Sequence, residues 1–135
     1  MRRVLKKDGI FIIIDGYMQK PLPQLTQDEL LAKRLIEKGM TVNNFEEYSS
    51  LRRKLHDTKF EIVDEENVSQ FILPTLQRFE KMATFYLSSP LLVKDVLYKV
   101  LDKDFTKNII SGYLMPYFIE NEIAVYMITV ARVLQ

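Results

Sequence analysis

Few side chains in this sequence could carry covalent or proton-transfer chemistry, and their placement is informative. Asp15 closes an uninterrupted apolar run, Ile10-Phe11-Ile12-Ile13-Ile14. A carboxylate at the carboxyl end of such a strand stands where open α/β sheets bind their ligands. It either touches a substrate or the margin of a cofactor pocket, or it caps its own loop. Tyr17 follows two residues later and either lines the same cleft or packs the loop. His56 is the single histidine. At a helix end, where the dipole favours imidazolium, it reads as a surface or capping residue. The absence of cysteine excludes disulfides, thiolate catalysis and cysteine-ligated metals. One histidine and scattered carboxylates give no metal-ligand spacing such as an EF-hand loop. A second group of candidates is apolar: Phe71, Phe79, Met82, Tyr113, Met115 and Tyr117 among them. These side chains either form a lid over an apolar substrate or are simply core.

The elements that would position these residues follow from hydrophobic period and from punctuation. Residues 10–15 read as a strand apolar at every position, which calls for cover on both faces and for parallel neighbours. The stretch from Gly16 to Leu25, with Pro21 and Pro23, reads as an ordered loop. Thr26-Gln27-Asp28-Glu29 is a capping box, and Leu30, Leu31, Leu35 and Ile36 make the apolar stripe of the helix it opens. Gly39 is the expected stop of that helix. Asn44-Phe45-Glu46-Glu47 repeats the capping logic for a second helix, striped by Phe45, Tyr48, Leu51 and Leu55. Residues 59–64 alternate with period two and predict a strand with one buried face.

About fifty residues of helical pattern follow. Val68, Phe71, Ile72, Leu76, Phe79 and Ala83 recur at helical spacing, with Pro74 near the start, where its missing N–H costs least. Ser89-Pro90 opens a further helix, and a last helical piece spans Asp104 to Phe118 with Gly112 and Pro116 as weak points. Residues 122–133 then form a long strand, apolar on both faces, as suits a central position.

Composition narrows the partners. A chain of 135 residues is one domain or part of one, long enough to bury roughly 65–70% of its unfolded surface. Nineteen basic residues against eighteen acidic ones leave a net charge of +1, which gives no electrostatic reason to expect nucleic acid or an anionic membrane. No apolar run approaches the ~18–20 residues of a membrane span. Asp8 and Asp15 bracket an apolar run too short for a signal peptide, so the cytoplasm is the default compartment.

Together these pieces resemble the later part of the class I S-adenosylmethionine-dependent methyltransferases. The stretch Arg3-Val4-Leu5-Lys6-Lys7-Asp8-Gly9 followed by Ile10 to Asp15 resembles that family's helix, turn and fifth strand. Lys7-Asp8-Gly9 has one glycine where the family usually has two. Phe45 to Val63 resembles the helix and sixth strand that follow. Ile123 to Arg132 resembles the seventh strand, which runs antiparallel between the fifth and sixth.

The resemblance implies a C-terminal part of a Rossmann-like methyltransferase sheet: three strands, the last one central and antiparallel. Residues 1–66 and 119–135 would supply the sheet and its flanking helices. Residues 67–118 would form a lid-like helical insert on the substrate side, so that Asp15, Tyr17, Phe71, Tyr113 and Tyr117 bind an apolar small molecule. S-adenosylmethionine would serve the complete domain. This chain alone is expected not to bind it, because the glycine-rich loop and ribose-binding carboxylate of the family's first half have no counterpart among Gly9, Gly16, Gly39 and Gly112. The chain then reads as a fragment, a split-gene product, or a half completed by a partner chain or by self-association through residues 10–15. The alternative to an enzyme half is a non-catalytic interaction module. No short catalytic signature is expected, because methyl transfer needs chiefly an apolar cage and in-line positioning.

Overall fold

A computed structural model of the chain describes residues 9–91, 95, 96, 99 and 103–134. Strand β1 (Ile10–Met18) leads through a 3-10 turn (Leu22–Gln24) into helices α1 (Gln27–Met40) and α2 (Tyr48–Asp57). Strand β2 (Phe60–Asn67), helix α3 (Ser69–Ser88), helix α4 (Lys103–Glu120) and strand β3 (Ala124–Val133) complete the described order. The helix-end and turn expected over residues 2–8 lie outside the described residues. So does most of the helix expected after Ser89-Pro90, of which residues 91, 95, 96 and 99 are helical.

The three strands form one sheet in the order β1-β3-β2, with β3 antiparallel to both neighbours. The two-sided apolar pattern of β3 is what a central strand requires, and its alternation sorts the two faces. Val125, Met127, Thr129 and Ala131 are buried on one face beneath α2, while Tyr126, Ile128 and Val130 are half-buried on the other. β2 carries a bulge at Val63, where the register with β3 slips between Ile62 and Asp64. The slip re-aims the second half of the strand, so that Phe60 and Ile62 face α2 before the bulge and Glu65 faces it after.

β1 departs from expectation in two ways. It runs past Asp15 to Met18, because its ladder with β3 continues through Tyr17 opposite Val125 and Met18 opposite Ala124. Asp15 therefore sits inside the strand, not at its end. Nor is the strand parallel to its hydrogen-bonded neighbour or covered on both faces. Phe11 and Ile13 pack toward α2, whereas Ile10, Ile12 and Ile14 are 61%, 57% and 58% exposed.

The capping box forms as read: the Thr26 hydroxyl accepts from Glu29 N–H at 3.2 Å, and the Glu29 carboxylate accepts from Thr26 N–H at 2.6 Å. Gly39 does not end the helix. The chain stays helical to Met40, and Thr41, with φ of 57°, takes the left-handed position and donates to the carbonyls of Glu37 and Lys38. Phe45 precedes α2 instead of lying on its stripe. The chain there runs beside the end of β1, where Met18 N–H donates to the Glu46 carbonyl at 2.8 Å.

α4 packs against both α1 and α3, and its C-terminal turns reach the sheet. The largest buried cluster joins Met18 of β1, Leu25, Ile36 of α1, Phe118 and Ile119 of α4, and Ile123 before β3. This cluster fixes the helical insert to the end of β1. Ser111 adds a directional link, its buried hydroxyl donating to the Ile36 carbonyl at 3.1 Å.

Candidate functional site

Two places bring candidate residues together. The first is a concavity of about 360 Å³ between the C-terminal end of α1 and helices α3 and α4. Met40, Leu76, Phe79, Met82, Ala83 and Met115 form its apolar lining. The helices come close here because small residues allow it: Gly112 faces Phe79, and a Cβ on Gly112 would stand 3.4 Å from the Phe79 Cβ. The polar lining residues are Asn108 and Ser111, and the Ser111 hydroxyl is committed to Ile36. Among the described residues nothing ionisable lines this space. It can hold an apolar group and exclude water from it.

The second place is the face of the sheet beneath α2. Tyr17 is 5% exposed and packs its ring on Tyr48, with centroids 5.3 Å apart. Tyr48 donates its single hydroxyl proton to Glu65 Oε1 at 2.7 Å. The buried Thr129 hydroxyl, 2.9 Å away, must therefore donate to the Tyr48 oxygen. Arg52 holds both Glu65 oxygens, with Nε 2.8 Å from Oε1 and Nη2 on Oε2, and its guanidinium lies 5.6 Å from the Tyr48 ring centre. The run is directional: threonine to tyrosine to carboxylate, with arginine closing it. Arg52 holds the Glu65 carboxyl below the usual carboxylate range, aided by the Tyr48 hydrogen bond, against the opposing effect of burial. The Tyr48, Glu65, Thr129 and Arg52 side chains bond one another, so the arrangement orients α2 on the sheet.

Burial pushes the Tyr17 hydroxyl up to about 12, with the negative charges of Asp15 and Glu46 adding to it. A phenol of this kind is neutral at physiological pH and acts as a hydrogen-bond donor. Burial and the hydrogen bond to Glu65 raise Tyr48 as well, so spectrophotometric titration at 295 nm should show late-ionising tyrosines, and Tyr17→Phe should remove the component near pH 12. An unchanged alkaline profile in the variant would show that Tyr17 is solvated.

The residues singled out from the sequence fall into two groups. Asp15 and Tyr17 share the α2 face of the sheet, where Asp15 accepts from Gly16 N–H at 2.8 Å. Phe71, Tyr113 and Tyr117 lie on α3 and α4, are 67%, 43% and 51% exposed, and stand outside the lining of the concavity. Of the insert's other aromatic and methionine residues, Phe79, Met82 and Met115 are brought together there. Met40 and Gly112 were not singled out as site residues. The signal that marks them is a glycine in mid-helix, which points to a close approach by a neighbouring element.

Gly9 precedes β1, and its carbonyl accepts from Val133 N–H at 3.3 Å. Gly16 is inside β1 against the rings of Tyr126 and Phe45, Gly39 is inside α1, and Gly112 is inside α4 against Phe79. Among the described residues no group of acidic or histidine side chains could hold a metal ion, and no helix is long and apolar enough to cross a membrane.

The fold is a mixed α/β arrangement in which the last strand enters the sheet centre antiparallel, with a helical pair inserted before it. No family model matches the sequence, and no curated protein matches it. Solved structures share the fold. The apo form of mycolic acid cyclopropane synthase CmaA1 matches with a TM-score of 0.61 and 9% identity, over 97% of this chain and 49% of that one. The MccD protein matches with a TM-score of 0.50 and 11% identity, over 98% of this chain and 50% of that one. The chain thus spans about half the length of these structures, and at such identities the likeness is one of fold.

Proposed function

We propose that this chain is the substrate-side half of an S-adenosylmethionine-dependent methyltransferase acting on an apolar small molecule. The observation that carries the reading is the insert between β2 and β3, which encloses an apolar concavity beside a β1-β3-β2 sheet. That strand order is the one the family resemblance implies, and the likeness to the cyclopropane synthase fold supports it. In this reading α3 and α4 are the lid, the concavity holds an apolar part of the substrate, and Phe71, Tyr113 and Tyr117 extend the contact beyond its lining. Asp15 and Tyr17 line the sheet side, Tyr17 as a neutral donor. An uncharged lining suits transfer from a sulfonium, because it brings no competing nucleophile and keeps water from the methyl group. In this reading the cofactor site belongs to the rest of the complete domain.

The test is transfer of labelled methyl from S-adenosylmethionine into solvent-extractable products by the full gene product. Met82→Trp fills the concavity from its rim and should lower transfer at least tenfold while leaving the fold intact by circular dichroism. Unchanged transfer would remove the lid from the reading. No transfer by the full product would favour the second reading, a non-catalytic module that completes another chain, to which the exposed isoleucines of β1 lend support. Calorimetry of this chain with S-adenosylmethionine should show no saturable binding; a micromolar site would place the cofactor within these residues.

A further inference from the structure

We infer that Glu37 of α1 is a positioning residue for Tyr17, acting through the backbone N–H of Phe45 and aimed by Lys33. The inference rests on the reading of Tyr17 as the neutral donor on the sheet side of the site. Glu37 grips the loop between α1 and α2 at two points. Its carbonyl accepts from Val42 N–H at 2.9 Å, and its Oε1 accepts from Phe45 N–H at 2.7 Å. Residues 41–44 are exposed, so packing does little to place this loop. The hydrogen bonds to Glu37 place it instead.

The segment that follows surrounds Tyr17. The Phe45 ring lies 3.6 Å from where a Cβ on Gly16 would stand. The Glu46 carbonyl accepts from Met18 N–H at 2.8 Å, and Glu47 pairs with Met18 in a parallel bridge. The neighbours of Tyr17 on both sides along β1 are thus met by residues 45 and 46, and the Tyr48 ring lies against the Tyr17 ring. The ladder with β3 fixes the Tyr17 backbone opposite Val125. Residues 45–48 fix what covers its ring. That cover, with the charges of Asp15 and Glu46, keeps the hydroxyl protonated. A shift of the segment would wet the ring and carry the Glu46 carboxylate with it.

Lys33 accounts for the aim of Glu37. Its ammonium donates to the same Oε1 and lies 3.4 Å from Asn44 Oδ1. The two side chains are 7% and 15% exposed. Lysine four residues before glutamate is the weaker order for a pair that stabilises its own helix, and taking two charges out of water is costly. The helix gains little from the pair, whereas the loop gains a carboxylate fixed in direction. The preceding residue serves the other half of the site, because the Ile36 carbonyl accepts from the Ser111 hydroxyl of α4. A single turn of α1 therefore sets the lid and the sheet side against each other.

Two variants separate reach from charge. Glu37→Asp keeps the charge and withdraws it by one methylene. It should bring the Tyr17 component of the 295 nm titration from about 12 toward the ordinary value of 10. It should also lower methyl transfer by the full gene product roughly tenfold. Lys33→Met combined with Glu37→Gln removes both charges and keeps an oxygen to accept from Phe45 N–H. The double variant should hold the component near 12 and retain transfer. The titration reads the positioning with no substrate present, so its failure is distinct from failure of the methyltransferase reading. A component still near 12 in Glu37→Asp, or one displaced as far in the double variant, would overturn the inference. A displaced component with full transfer would show that Tyr17 takes no part in the reaction, and would overturn it too. No transfer by the parent would remove the methyltransferase reading and leave the titration to decide the positioning.

Discussion

Replacing Phe118 by alanine should destabilise the fold by about 3–5 kcal/mol, the largest effect expected of any single truncation here. Its ring is 0% exposed and lies where four parts of the chain meet: Met18 from β1, Leu25 from the turn, Ile36 from α1 and Ile123 leading into β3. Removing it leaves a cavity that none of these can close alone, because each is tied to a different element. Domains of this size are stable by roughly 5–15 kcal/mol, so about a fifth of the total or more would go. The melting midpoint should fall by roughly 10–20 °C. Urea unfolding monitored by circular dichroism checks the value. A loss below about 1 kcal/mol would mean that the insert and the sheet are not joined through this ring.

Glu65→Gln should cost about 1–2 kcal/mol at neutral pH, at the lower end of what hydrogen bonds to charged groups contribute, because Arg52 is largely solvated and its attraction is screened. The same substitution should flatten the acid limb of the stability curve. The Glu65 carboxyl is held below its ordinary value chiefly by the Arg52 hydrogen bond. A carboxyl lowered in the folded state stabilises fully above its unfolded pKa, and that stability is lost as pH falls through the folded value. Glu29, lowered first by the Thr26 backbone N–H, and Glu46, lowered first by Lys54, act in the same direction. Stability should therefore hold from pH 7 to about 5 and fall below that, near and under the ordinary carboxylate range. Urea titrations of the parent chain and the variant at pH 7 and pH 3.5 should show a smaller difference between the two pH values in the variant. Equal differences would show that Glu65 is solvated in the folded chain.

Features encoded locally were legible in the sequence. The Thr26–Glu29 box forms because both partners lie within one helical turn, and no distant contact competes. The central place of β3 follows from apolar residues on both its faces. What failed was the assumption that an unbroken apolar strand is buried on both faces. Phe11 and Ile13 obey it, whereas Ile10, Ile12 and Ile14 do not, because the run of types carries no information about which layers are present. The candidate site was legible in kind and not in residue. Helical spacing marks Phe71, Phe79, Tyr113 and Met115 alike as apolar. Which of them turn toward a neighbour depends on where α3 and α4 touch, and Gly112 against Phe79 decides that. The Tyr48–Glu65–Thr129 run joins residues 17 and 81 positions apart, beyond the reach of any local pattern.

The strand that holds the sheet together is also the last of the three to be made. β1 and β2 share no hydrogen-bonded edge, since β3 lies between them. More than a hundred residues separate the end of β1 from the end of β3. At typical elongation rates of about 5–20 residues per second, Ile10–Met18 waits roughly 5–20 s on the ribosome before β3, its partner among the described strands, is made. These three strands pair only when β3 enters between two that are already there. During that interval the apolar run Ile10–Ile14 is available to any holdase near the exit tunnel. The yield of folded chain should accordingly depend more on the chaperone supply during synthesis than on the stability of the finished fold.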